Sequence, residues 1–205
     1  MNQMDKIVLE VAKGLVKCFK KENFIVFPEY HNISQDGEQR ISEQESKVLF
    51  TNEFMNNKIR FAVEVPTISK HCFKSTQLKK NERSARFDMV TYKDNTYDFD
   101  WVIELKSGNP PQFNFQKDFE KMAKSNSNCL WFHTLKNADS GTYKSLDEKI
   151  NESIKNVIKD FGGNFIWKFV VVVLEQAELY SVNIPLKKDE SNKFSISSLS
   201  PQKIA

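Results

Sequence analysis

Asp88, Glu104 and Lys106 are charges that stand inside apolar, β-prone runs, RFDMVTY at 86–92 and FDWVIELK at 99–106. A charge in the middle of a strand meant for a core is costly unless something compensates it. Side chains alternate along a strand, so Glu104 and Lys106 share a face while Leu105 points the other way. The stretch between the runs, DNTYD at 94–98, has turn composition, which predicts a hairpin. In the right register that hairpin puts Asp88 beside Glu104. Two carboxylates so close repel each other unless a cation lies between them. A hard divalent ion such as Mg²⁺ suits oxygen ligands and keeps room for waters and phosphate oxygens. An ammonium two residues along can hold or deprotonate an attacking water, or stabilise developing negative charge. The set fits metal-assisted hydrolysis of a phosphodiester. The competing reading is the exposed face of an edge hairpin carrying a Glu–Lys pair.

The elements around this hairpin alternate between helix and strand. Residues 7–19 carry apolar side chains at the helical period, with Glu10, Lys13 and Lys17 on the far side. Residues 24–33, FIVFPEYHNI, read as a first strand, with Pro28 arguing against a central, fully paired position. Residues 34–57 are polar and read as a loop with a short helix or hairpin. Strands are expected at 58–68, 85–92, 99–106, 129–135, 165–174 and 178–185. The four consecutive valines at 170–173 mark a strand buried on both faces. Helices are expected at 115–124 and from Ser145 or Asp147 to Phe161, ended by Gly162-Gly163. The stretch 187–205 is polar and Ser-rich, a loose tail by composition. The order predicts one α/β domain over residues 1–186, a mixed central sheet flanked by helices.

Composition excludes more than it selects. The 205 residues carry a net charge of +3, too little to nominate a nucleic-acid partner by itself. Cys18, Cys72 and Cys129 are isolated and odd in number, which argues against a disulfide framework or a zinc site and points to a reducing cytoplasm. The beginning of the chain mixes acids with lysines and does not read as a signal peptide. The longest apolar stretch, 169–174, is far short of the ~20 residues that span a membrane. His31, His71 and His133 lack metal-ligand spacing, and no nucleophile elbow, P-loop or dinucleotide fingerprint is present. Trp101, Trp131, Trp167 and Cys129 lie in strand runs and are expected in the core.

Asp88, a gap of fifteen residues, then Glu104-Leu105-Lys106 after an apolar run resembles the PD-(D/E)xK nuclease superfamily, the restriction-endonuclease-like fold. The likeness extends over residues 7–174: a leading helix, a hairpin carrying the acids, then helix, strand and helix. Phe87 stands where the name-giving proline would be. The resemblance implies Asp88 and Glu104 as ligands of Mg²⁺ (or Mn²⁺), Lys106 as the catalytic lysine, and a further glutamate from the first helix or strand. Glu10 falls opposite the apolar stripe and reads as a surface acid. Glu29 is taken as the fourth catalytic residue, with Glu64 as the other candidate. Arg86, Lys117, Lys121 and the Lys79–Lys80 segment are candidate phosphate contacts. The implied activity is a nuclease, endo- or exonuclease, acting on DNA in restriction, phage defence or repair, as a homodimer or with a partner subunit. RNA stays open as a substrate. The alternative is a catalytically inactive nucleic-acid-binding or protein-interaction module on the same fold.

Overall fold

A computed structural model of the chain describes residues 2–30, 37–71, 83–157, 165–185, 194–196 and 198–204. His31, Cys72, Lys79–Lys80 and Gly162-Gly163 lie outside them. A seven-stranded mixed sheet runs β1 (Phe61–His71), β2 (Arg83–Tyr92), β3 (Phe99–Ser107), β4 (Asn128–Leu135), β5 (Ile166–Val173), β6 (Glu178–Pro185) and β7 (Gln202–Lys203) in spatial order. The first two pairings are antiparallel, β3–β4–β5 are parallel, and the last two pairings are antiparallel again. The α/β class and the mixed sheet agree with the sequence-based expectation.

Each parallel connection is a helical crossover: α3 (Gln112–Ala123) joins β3 to β4, and α4 (Ser140–Val157) joins β4 to β5. Both helices cover one face of the sheet, where Phe115, Phe119, Met122, Leu146, Ile150 and Ile154 pack on Val102, Trp131, Trp167 and Phe169. The other face is covered by α1 (Gln3–Phe19) and α2 (Glu43–Asn56), which pack on Met89, Ile103, Leu105, Leu130 and Phe132. Every second residue of β3 thus enters a different core, and Glu104 and Lys106 point to the α3 side with Val102.

α1 starts where the sequence can close its orphan backbone donors. Asn2 accepts from the Asp5 N–H at 2.8 Å, and Asp5 accepts from the Asn2 N–H at 3.3 Å, a reciprocal cap. The polar stretch 34–57, expected as a loop with a short helix or hairpin, holds α2, which runs for 14 residues and is capped by Ser42. Its pattern is blurred because Val48 and Met55 are exposed while Leu49, Phe50 and Phe54 are buried.

Four other expectations need correction. Residues 24–30 do not form a strand: Phe24 and Val26 face solvent, and only Glu29 makes an isolated bridge, to Gln39. The run has β-type composition, but Pro28 lacks an N–H and, among the described residues, no neighbouring strand takes up the segment. α4 begins at Ser140, because the Asp139 carboxylate accepts from Thr142 N–H at 2.7 Å, six residues before the nearer of the expected caps. The tail is not loose where it is described. Phe194 and Ile196 are buried, Asn151 exchanges two 2.7 Å hydrogen bonds with the Phe194 backbone, and β7 pairs with β6. Asp147, expected as a cap, instead accepts from the Ile196 N–H at 2.7 Å.

Candidate active site

The antiparallel ladder between β2 and β3 pairs Thr91 with Trp101, Val90 with Val102 and Met89 with Ile103. The next step of that register opposes Asp88 and Glu104. There the ladder stops, and the Asp88 side chain replaces it: its carboxylate accepts a hydrogen bond from the Leu105 backbone N–H at 2.8 Å. The local chain explains the change. Opposite Asp88 on the other side lies Glu64 of β1, whose φ of 52° breaks strand geometry between Val63↔Met89 and Val65↔Phe87. Phe87 joins the α3-side core while Met89 joins the other, so alternation fails at Asp88 itself. Such local irregularity frees a side chain from its regular direction.

α3 brings the rest. Phe115 stacks on Trp131 and Phe119 meets it edge-on, each with ring centroids 5.0 Å apart. Each such pair contributes about 0.5–1.5 kcal/mol beyond burial, which fixes the rotation of the helix. With that face inward, Asp118 and Lys121, one turn apart, point towards β3. Asp118 Oδ2 lies 2.8 Å from Lys106 Nζ, and Asp118 Oδ1 lies 2.7 Å from Lys121 Nζ. Lys121 Nζ also lies 2.7 Å from Glu104 Oε1 and donates to the Arg86 carbonyl at 2.9 Å. From α2, Glu43 reaches Lys106 Nζ at 3.8 Å. Lys106 sits 5.8 Å from the centre of the Trp131 ring, a cation–π distance.

Glu104 is wholly buried, and its Oε2 has no hydrogen-bond partner. Burial pushes its carboxyl well above the usual range, Asp118 and Asp88 push the same way, and Lys121 and Lys106 oppose them. Burial also drives Asp118 up, but the Lys121 and Lys106 ammoniums outweigh it and hold that carboxylate low. For Lys106 burial disfavours the charge, and Asp118, Glu104 and Glu43 more than restore it, so its pKa lies above the ordinary lysine value. Lys106 is therefore an ammonium, suited to holding a water or stabilising negative charge, not to taking a proton. Glu43 is raised, first by burial and then by Asp88 and Asp118 against Lys106.

The sequence-derived set is thus partly gathered. Asp88, Glu104 and Lys106 converge. Arg86 and Lys117 are exposed on the neighbouring elements β2 and α3. Lys121 is corrected: it is only 4% exposed and lies inside the cluster, not on the surface of α3 where a phosphate contact was expected. Glu29 is not among the groups that face Glu104, Lys106 or Asp118, and its carboxylate meets Lys21 at 2.5 Å. Glu64 is exposed and taken by Lys47 at 2.5 Å. The additional acids are Asp118 and Glu43, which sequence reasoning missed. Asp118 stands one residue before Phe119 in the buried stripe, the one signal that could have found it; Glu43 looked like part of a polar loop.

Among the described residues no three His, Cys, Asp or Glu side chains already form a cation cage. The donor set still fits a hard cation: with all six groups ionised, Asp88, Glu104, Asp118 and Glu43 exceed Lys106 and Lys121 by two negative charges, and Glu104 Oε2 is buried without a partner. A polar cleft of about 570 Å³, lined by Arg60, Tyr92, Asp100 and Trp101 among others, lies towards the turn end of the β2–β3 hairpin, away from this cluster. No protein-family model, curated protein or solved structure matches the chain. Among the described residues no helix is long and apolar enough to cross a membrane.

Proposed function

We propose that the chain is a divalent-metal-dependent nuclease of the restriction-endonuclease-like type, hydrolysing phosphodiester bonds of DNA. The observation that carries the reading is the Asp88 carboxylate on the Leu105 N–H, which seats it beside Glu104 with Lys106 two residues further on. The leading helices, the antiparallel β1–β2–β3 unit and the helical crossover to β4 support the same resemblance. Asp88 and Glu104 would hold Mg²⁺ or Mn²⁺, and Glu43 takes the place that the sequence reading gave to Glu29. The bound ion would polarise the phosphate and lower the pKa of a water. Lys106, held as an ammonium by Asp118, steadies that water or the charge that develops on phosphate oxygen. Arg86 and Lys117 contact backbone phosphates. Cutting both strands of a duplex requires a second copy or rebinding, so a homodimer belongs to this reading, as does a place in restriction, defence or repair.

A second reading has its own observation. Lys106 with Asp118, and Lys121 with Glu104, satisfy one another within the protein, as they would in an inactive binding module with a structural ion-pair cluster. Incubation with duplex DNA, single-stranded DNA and RNA, each with Mg²⁺ or Mn²⁺, separates the two. Metal-dependent cleavage that falls by about 10²-fold or more in Lys106→Ala is expected. No cleavage of any substrate in either metal discards the enzyme and keeps the module.

A further inference from the structure

Lys121 is a second buried lysine in a site whose chemistry calls for one. Its ammonium meets three oxygens from three elements: Glu104 Oε1 at 2.7 Å on β3, Asp118 Oδ1 at 2.7 Å on α3, and the Arg86 carbonyl at 2.9 Å on β2. One hydrogen bond and two close ion pairs surround the ammonium, which has three N–H donors. Two carboxylates and a backbone carbonyl are also the oxygen ligands that a hard divalent ion takes. Both Glu104 oxygens are buried without a hydrogen bond; what separates them is that Oε1 is ion-paired to Lys121 and Oε2 is not. One carboxylate therefore serves two cation positions: Lys121 fills that on Oε1, and Oε2 is left for another cation.

We propose that Lys121 is a built-in cation standing where a second metal ion would sit, so that the site takes a single divalent ion. The proposal rests on the hydrolytic reading for the identity of that one ion. Charge supports it. With all four carboxylates ionised, as metal ligands are, they exceed the two ammoniums by two, which one divalent ion neutralises; without Lys121 the excess is three, and a second ion gains a place. The consequence is a nuclease that works with one metal ion, with an invariant protein charge beside it.

The test counts ions on the full chain. Mn²⁺ is titrated into the wild type and into Lys121→Met, which keeps the aliphatic stem and removes the charge, with stoichiometry read by calorimetry and by electron paramagnetic resonance. One ion in the wild type and two in the variant are expected. Equal stoichiometry in both, or two ions in the wild type, overturns the proposal. No ion in the wild type but one in the variant upholds Lys121 as the occupant of a cation position while removing the metal centre from the hydrolytic reading. If Lys121→Met does not fold, the wild type decides: the slowly exchanging ammonium ¹⁵N–¹H resonance of Lys121 persists on addition of Mg²⁺, and its disappearance overturns the assignment.

Discussion

Lys106 and Asp118 meet at 2.8 Å across the space between β3 and α3, with 13% and 6% of their side-chain surfaces exposed. The pair ties the strand that carries the acidic motif to the helix that follows it. Asp118 holds both lysines at once, so its charge is the one the cluster can least lose.

Asp118→Asn keeps the side-chain volume and removes the charge between two ammoniums. Breaking one partner of a buried pair costs about 3 kcal/mol or more. The expected outcome is a loss of that size in urea unfolding, with an unchanged slope against denaturant. A stability within about 0.5 kcal/mol of wild type, the range of ordinary surface substitutions, contradicts the assigned role.

Asp88 makes one contact that charge does not require and one that it does. Asn at this position still accepts from the Leu105 N–H, so Asp88→Asn should stay within about 1 kcal/mol of wild type, whereas Asp88→Ala orphans that donor and loses about 1–3 kcal/mol. Both variants remove the negative charge beside Glu104. Mn²⁺ affinity measured by calorimetry should fall in both, on the order of 10–100-fold. If Asp88→Asn binds the ion as wild type does, Asp88 is not a ligand.

His133 couples the fold to pH. It is wholly buried on β4, its Nε2 donates to the Gly108 carbonyl at 2.5 Å, and its Nδ1 has no partner. Burial lowers its pKa from 6.5 to about 4. The folded state therefore prefers the neutral ring, while the unfolded chain protonates first. Stability is complete above pH 6.5 and falls as pH drops towards 4, by on the order of 3 kcal/mol from this residue. His133→Gln should flatten the stability curve in that window relative to wild type. Parallel curves for the two proteins would show that another group carries the pH dependence.

Asn151 on α4 holds the end of the chain through two backbone hydrogen bonds at Phe194. At about 1 kcal/mol each, Asn151→Ala should lower stability by about 2 kcal/mol and speed amide exchange at Phe194. Exchange at Phe194 as slow as in wild type would mean that burial of Phe194 and Ile196 suffices to hold the segment.

The sequence by itself determined the hairpin, the alternation that puts Glu104 and Lys106 on one face, the two crossover helices and the valine strand in the centre. These follow from periods of two and 3.6 residues and from turn chemistry, all local in the chain. It did not reveal α2, whose apolar residues fall on both sides, and its strand expectation failed over 24–30 because β-type composition carries no information about whether a neighbour is there to pair. Tertiary structure alone decided the membership of the charged cluster. Lys121 reads as one of a row of surface lysines on α3, and only the seating of Phe115 and Phe119 on Trp131 turns it inward. Glu43 and Asp118 lie 61 residues before and 14 residues after Glu104 in the chain. Their meeting depends on packing two helices against opposite faces of one sheet, which no spacing along the sequence encodes.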